Sequence, residues 1–149
     1  MRKIILGALL CFLLACTGKN KSEKTLSKAD QMKYEQYFVR GQELYSIHCS
    51  NCHQTNGEGL GKLFPPIKSS DFMDKNFEQV ICLMKNGISE PIMVNEVTFS
   101  QPMPGISELT DLEIAEVATY IYNTWGHNKG YVDVKEVASI LLSCNDPQE

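Results

Sequence analysis

"SIHCSNCHQT", residues 46–55, sets two cysteines three positions apart and follows the second directly with a histidine. Cys49-Ser50-Asn51-Cys52-His53 is compatible with three chemistries: a redox dithiol, half of a zinc site, or the covalent seat of a haem. Haem vinyl groups bonded to two thiols need those thiols close together on one short turn, and the next residue can then bring its imidazole to the iron. A dithiol of the thioredoxin kind also uses Cys-x-x-Cys, but it needs a strand before the motif and a βαβ pattern around it. The residues before Cys49 carry a helical pattern instead. A structural zinc site needs a second Cys/His pair at short spacing, whereas Cys82 and Cys144 stand 62 residues apart. The pattern favours haem, with Cys49 and Cys52 as attachment points and His53 as axial ligand. A dithiol is the main rival.

Working outward, Tyr34, Tyr37, Phe38, Gly41, Leu44 and Tyr45 recur at helical spacing from Asp30 onward and predict a helix running into the motif. Gly41 inside it costs about 1 kcal/mol relative to Ala. Either a second helix crosses there closely, or it is a tolerated surface glycine. "QTNGEGLGKLFPP", residues 54–66, reads as loop. Its Gly61-Lys62 is followed by Leu63, which excludes a phosphate-binding loop. A short helix is predicted over 76–86, with Phe77, Val80, Ile81 and Met84 on one face and Gly87 as its stop. "IMVNEVTFSQPMPG", residues 92–105, reads as extended chain passing into a proline-rich loop. The next helix starts at Thr110, which forms a capping box with Glu113 and a staple between Leu109 and Ile114. Ile114, Val117, Ala118, Ile121 and Trp125 form its apolar stripe, with Gly126 at the C-terminal cap. A last helix is predicted over 133–143, before a short polar tail.

An iron held by His53 needs a sixth ligand, or an open position in a sensor or catalyst. Met103 is the candidate, because Pro102 and Pro104 stiffen the loop on both sides of it. Met84 belongs to a helix face, and Met73 and Met93 have no comparable constraint. His127 is the alternative, giving a bis-histidine site, while His48 is too near the attachment turn to reach the opposite haem face. The ring nitrogen of His53 not on iron should donate to a carbonyl. Pro65 is a plausible source, though Pro65-Pro66 can equally be a stiff turn.

The N-terminus, "MRKIILGALLCFLLAC", is a basic start followed by an apolar run too short to span a membrane, as in an export signal. Its end, Leu13-Leu14-Ala15-Cys16, resembles the lipobox of bacterial lipoproteins, which implies cleavage before Cys16 and lipidation there. Cleavage elsewhere would give a free periplasmic protein. Residues 16–30 are expected to be a flexible tether. The folded domain is expected over 31–149, with a C-terminal helical extension from about 127. Loss of Arg2 and Lys3 takes the formal charge from −4 to −6. That acidity suits a basic protein partner and argues against nucleic acid.

In this order, the features resemble a small monohaem cytochrome c of the mitochondrial-cytochrome-like (class I) family over about residues 34–126. "FPPIKSSDF" is similar to the family's proline segment, and "QPMPGISELTDLEIAEVATYIYNTWG" to its methionine loop and C-terminal helix. Tyr120 falls where an aromatic meets Gly41 at the helix crossing. The resemblance implies an all-α cytochrome c fold, three to five helices around one covalently bound haem c. It implies thioethers from Cys49 and Cys52, axial ligation by His53 and Met103, and a Pro65 carbonyl on His53. The implied function is one-electron transfer in the cell envelope, without substrate chemistry. The partners would be a dehydrogenase as donor and a terminal oxidase or reductase as acceptor, with the chain a monomer or a respiratory-complex subunit held at the membrane by its lipid. Rival readings are a haem-based sensor or peroxidase and a lipoprotein thiol–disulfide oxidoreductase. Glu96 stands where relatives often have Gly, and the chain continues past Gly126. Cys82 and Cys144 either pair across that extension or stay as ordinary buried thiols.

Overall fold

The computed structural model describes residues 27–144. The expected export signal, the expected lipidation site at Cys16, most of the expected tether and the tail after Cys144 lie outside the described residues.

Among the described residues the chain forms six helical segments and two small antiparallel pairs. Helix α1 spans Lys28–His48, α2 Ser50–His53, α3 Asp71–Lys75 and α4 Phe77–Asn86. Strands β1 (Gly87–Ile88), β2 (Ile92–Val94), β3 (Val97–Phe99) and β4 (Met103–Pro104) follow, then α5 (Asp111–Ile121) and α6 (Val134–Ser143). The architecture is all-α, as expected. The segment count exceeds three to five because α2 and α3 are single turns of four and five residues. Helix α1 begins at Lys28, inside the expected tether, because the Ser27 hydroxyl accepts the Asp30 N–H and caps it there.

The core forms where α1 crosses α5. Gly41 is the reason they approach so closely: a β-carbon there would collide with the Glu116 carbonyl and stand 2.9 Å from Tyr120 Cβ. The surface-glycine alternative for Gly41 is therefore set aside. Phe38 and Tyr45 close on Tyr120 with ring centroids 5.2 and 5.5 Å away. Ile114, Val117, Ala118 and Ile121 are buried as the stripe required, each of the larger ones contributing roughly 1.5–3 kcal/mol.

The start of α5 is the expected capping box, with Thr110 and Glu113 each holding the other's backbone N–H. Its end differs. Helix α5 stops at Ile121 rather than near Gly126, because side chains take over its last carbonyls: Asn123 Nδ2 donates to Thr119 O, and Thr124 Oγ1 to Tyr120 O. Trp125 consequently leaves the helix with φ +54 and packs edge-on against Tyr120 and at a tilt against Tyr45.

The segment read as plain extended chain is a hairpin. Strands β2 and β3 pair Ile92 with Phe99 and Val94 with Val97, and Asn95-Glu96 turns between them with φ +49 and +65, the primed geometry that suits a two-residue hairpin. Helix α6 packs on α4 and α5. The Cys82–Cys144 disulfide, with Cα atoms 5.8 Å apart, fastens its end to α4, so the pairing left open above is made.

Candidate haem site

Helix α1 delivers the cysteine turn. The Cys49 N–H closes α1 on the Tyr45 carbonyl, and the Cys52 and His53 N–H groups both bond the Cys49 carbonyl at 3.2 and 3.0 Å. Both thiols and the imidazole thus sit on one tight turn. Gln54 ends it in the left-handed region, φ +62, and the Tyr45 hydroxyl donates to the Gln54 carbonyl at 2.6 Å, holding that reversal in place.

His53 Nδ1 lies 3.0 Å from the Pro65 carbonyl. The carbonyl can only accept, so the ring donates from Nδ1 and keeps its Nε2 lone pair. Burial holds the imidazole's proton affinity below the ordinary histidine value, against the opposing pull of Pro65. A neutral, oriented ring is what metal ligation requires. Gly59 makes room for the carbonyl, since a β-carbon there, besides needing φ +67, would come within 2.7 Å of Pro65 O. Its own N–H bonds the His53 carbonyl at 3.0 Å. The Pro65 carbonyl therefore faces the ring, while the turns of this stretch fall at 61–63 and 68–69 and not at Pro65-Pro66.

Met103 does not hang in a loose loop. It occupies β4, opposite Ile88, while Pro104 faces Gly87. Gly87 has φ +76, and a β-carbon on it would meet Gly105 N and Met103 O at 2.5 Å. Downstream, Ile106 N bonds the Met84 carbonyl, and Lys85 Nζ bonds the Ser107 and Leu109 carbonyls at 2.7 and 2.6 Å. The methionine segment is thereby strapped to the end of α4.

Cys49, His53, Pro65 and Met103 line one cleft, walled by Val80, Leu83, Val94 and Ile121 among others. His53 and Met103 also border an adjoining recess, with Cys52, Phe64 and Phe99. The cysteine turn, His53, Pro65 and Met103 are thus brought together. Met73 and Met84 also reach the first cleft, which neither helical periodicity nor loop composition could indicate. Met93 is exposed. His127 is elsewhere: both ring nitrogens are engaged, Nδ1 with Asp74 Oδ1 at 2.7 Å and Nε2 with Ile67 O at 2.8 Å. The bis-histidine alternative is overturned, because no lone pair of that ring faces the cleft. His48 lies exposed on the last turn of α1.

The donor set fits a covalently attached haem: two thiols on one turn, an imidazole with one nitrogen unengaged, and a thioether on the same apolar cleft. It fits a redox dithiol poorly. Burial, with Cys52 adding to it, pushes the Cys49 thiol up to about 12, whereas reactive dithiols are acidified. Among the described residues no cluster of three or more metal-ligating His, Cys and carboxylate side chains occurs.

Comparison with known proteins agrees. The "Cytochrome c" family model matches residues 38–125. Cytochrome c-552 of Thermus thermophilus is 31% identical over 93 residues, covering 60% of this chain and 70% of that protein. The cytochrome c subunit of the quinone alcohol dehydrogenase of Gluconobacter oxydans is 28% identical over 104 residues, which cover 67% of this chain. This match spans only 21% of that subunit.

Proposed function

The chain belongs to the cytochrome c family, and on that premise we propose that it is an envelope electron carrier whose iron is held between His53 and Met103. Covalently bound haem c and electron transfer come with the family. When bound, the haem supplies a one-electron ferric/ferrous couple. Cys49 and Cys52 give the thioethers, Pro65 orients His53, and the apolar side chains exclude water. Thioether ligation and a dry pocket both favour the ferrous state and raise the potential. In this reading the chain turns over no substrate.

The observation that carries the proposal is the His53 Nδ1–Pro65 bond, which leaves Nε2 as the ring's only coordinating atom beside a cleft that Met103 also lines. A low-spin ferric spectrum with a far-red sulfur-to-iron band, lost in Met103→Ala together with a drop in potential, is the expected result. An unchanged spectrum would transfer the ligand role to Met73 or Met84. A high-spin, readily ligated iron in the wild type would favour the sensor or peroxidase reading.

The location and partners extend the same proposal. Residues 1–16 export the chain and Cys16 anchors it by lipid. Among the described residues no helix is long and apolar enough to cross a membrane, so the anchor rests on that segment. Likeness to a dehydrogenase cytochrome subunit supports a dehydrogenase as donor, with an oxidase or reductase as acceptor. Tethering would raise the effective concentration of the carrier beside such partners. Metabolic labelling with palmitate, abolished by Cys16→Ala, tests the anchor.

A further inference from the structure

The β2–β3 hairpin turns its apolar side to the cleft. Ile92 and Val94 line the space that His53 and Met103 share, Val94 and Phe99 are buried, and Met93 between the two wall residues is exposed. Phe72 and Met73 of α3 line the same cleft. Hairpin and α3 are therefore two of its walls, supplied by separate stretches of chain.

Hydrogen bonds join these walls outside the cleft. The Asn95 N–H donates to Asp71 Oδ1 at 2.7 Å, the Asp71 N–H donates to Asn95 Oδ1 at 3.0 Å, and Asn95 Nδ2 donates to the Ser69 carbonyl at 3.2 Å. The reciprocal pair satisfies an N–H in the first turn of α3 that the helix itself leaves without a partner. The other oxygen of Asp71 takes Lys75 Nζ at 2.9 Å, so both carboxylate oxygens are engaged. Ser69 is fixed in turn, its N–H bonding the Trp125 carbonyl at 3.0 Å. Neither Asp71 nor Asn95 lines the cleft. Asn95 sits at the tip of the hairpin with φ +49, so these bonds hold the end farthest from the flanking chain. The strand leaving that tip, β3, leads on to Met103 in β4.

We propose that Asp71 and Asn95 are positioning residues that latch the hairpin to α3, and that this latch sets how readily a ligand from solution replaces Met103 on the iron. The proposal rests on the assignment of Met103 as axial ligand. With the latch made, Ile92 and Val94 close the cleft that the thioether lines and keep water out. Loosening it raises the population in which the hairpin stands away from α3. A small nitrogen donor such as imidazole reaches the iron only in that population, so its apparent Kd falls by the factor by which the open fraction rises.

Imidazole titration of the ferric holoprotein tests this, read as loss of the far-red sulfur-to-iron band. Asn95→Gly keeps a residue that tolerates the positive φ but removes the bonds to the Asp71 N–H and the Ser69 carbonyl. Asp71→Ala removes the acceptor of the Asn95 N–H. Each should tighten imidazole about tenfold and speed amide exchange in residues 92–99. Gly41→Ala, which loosens the α1–α5 crossing away from the cleft, should leave imidazole affinity unchanged. Latch variants that bind imidazole as the wild type does, or a Gly41→Ala protein that tightens as much as they do, would overturn the proposal. A wild type that lacks the far-red band before any imidazole is added would remove the Met103 premise and the latch with it, and that first spectrum distinguishes the two failures.

Discussion

The Pro65 carbonyl is held between two residues: it accepts from His53 Nδ1 at 3.0 Å, and it lies against Gly59, where a side chain would not fit. The glycine that looks like loop filler is thus what brings the carbonyl to the ring. A hydrogen bond at Nδ1 makes the imidazole a more basic ligand and stabilises the ferric state.

Gly59→Ala should therefore do two things. The left-handed backbone, φ +67, costs about 1–2 kcal/mol for a residue with a β-carbon. The methyl group also displaces Pro65, weakens its bond to His53 and raises the potential. Denaturant melts and potentiometry on the same preparation check both; a loss of stability with an unchanged potential would separate Gly59 from the ligand.

Gly41→Ala addresses the helix crossing instead. Its methyl would overlap the Glu116 carbonyl and crowd Tyr120, and backbone cannot yield as a side-chain tip does. A loss of about 1–3 kcal/mol or more is expected, read as a lowered Tm. The far-red band should survive in the folded fraction, since Gly41 does not line the cleft.

How far the sequence reaches depends on the range of the interaction. The cysteine turn, the Thr110–Glu113 capping box and the glycine stop at Gly87 are local, set by residues within a few positions, and each appears where its pattern put it. The end of α5 was misplaced because Asn123 and Thr124 cap it with side chains, while the sequence offered Gly126 as the more conspicuous signal. The hairpin was missed because its turn is Asn95-Glu96 rather than Asn-Gly. The fate of His127 was not legible at all, since Asp74 and Ile67 lie 53 and 60 residues away. That Met73 and Met84 reach the cleft alongside Met103 is likewise visible only in the packing.

The hairpin turn yields a stabilising substitution. Asn95 suits its positive φ and is engaged on both sides, its N–H bonding Asp71 Oδ1 at 2.7 Å and its Oδ1 accepting from Asp71 N at 3.0 Å. Glu96 sits at φ +65, a region that a residue with a β-carbon adopts only at a cost. Glu96→Gly should stabilise the fold by about 1 kcal/mol, seen as a higher denaturation midpoint with an unchanged optical spectrum.

The disulfide should matter to the extension more than to the iron. Cys82 and Cys144 close a loop of 62 residues, for which the chain-entropy account gives about 4 kcal/mol. Replacing both by Ser should lower stability by up to that amount and expose α6 to proteolysis first. The low-spin spectrum should persist, because neither cysteine lines the cleft.

Acid should loosen the fold at two carboxylates outside the cleft. The Thr110 backbone N–H, with its hydroxyl, holds Glu113 below the usual carboxylate range. The Asn95 backbone N–H, with Lys75 beside it, does the same for Asp71. A depressed folded-state pKa means that the stabilisation is complete above the unfolded values, about 4.3 for Glu and 3.9 for Asp, and is lost as pH falls through the lower folded ones. Urea midpoints should accordingly hold steady from neutrality to about pH 5 as far as these groups are concerned, and decline below pH 4. Glu113→Gln and Asp71→Asn should each lower the midpoint at neutral pH and flatten the acid limb. If either variant kept the wild-type slope below pH 4, the carboxylate it replaces would not be a source of the acid sensitivity.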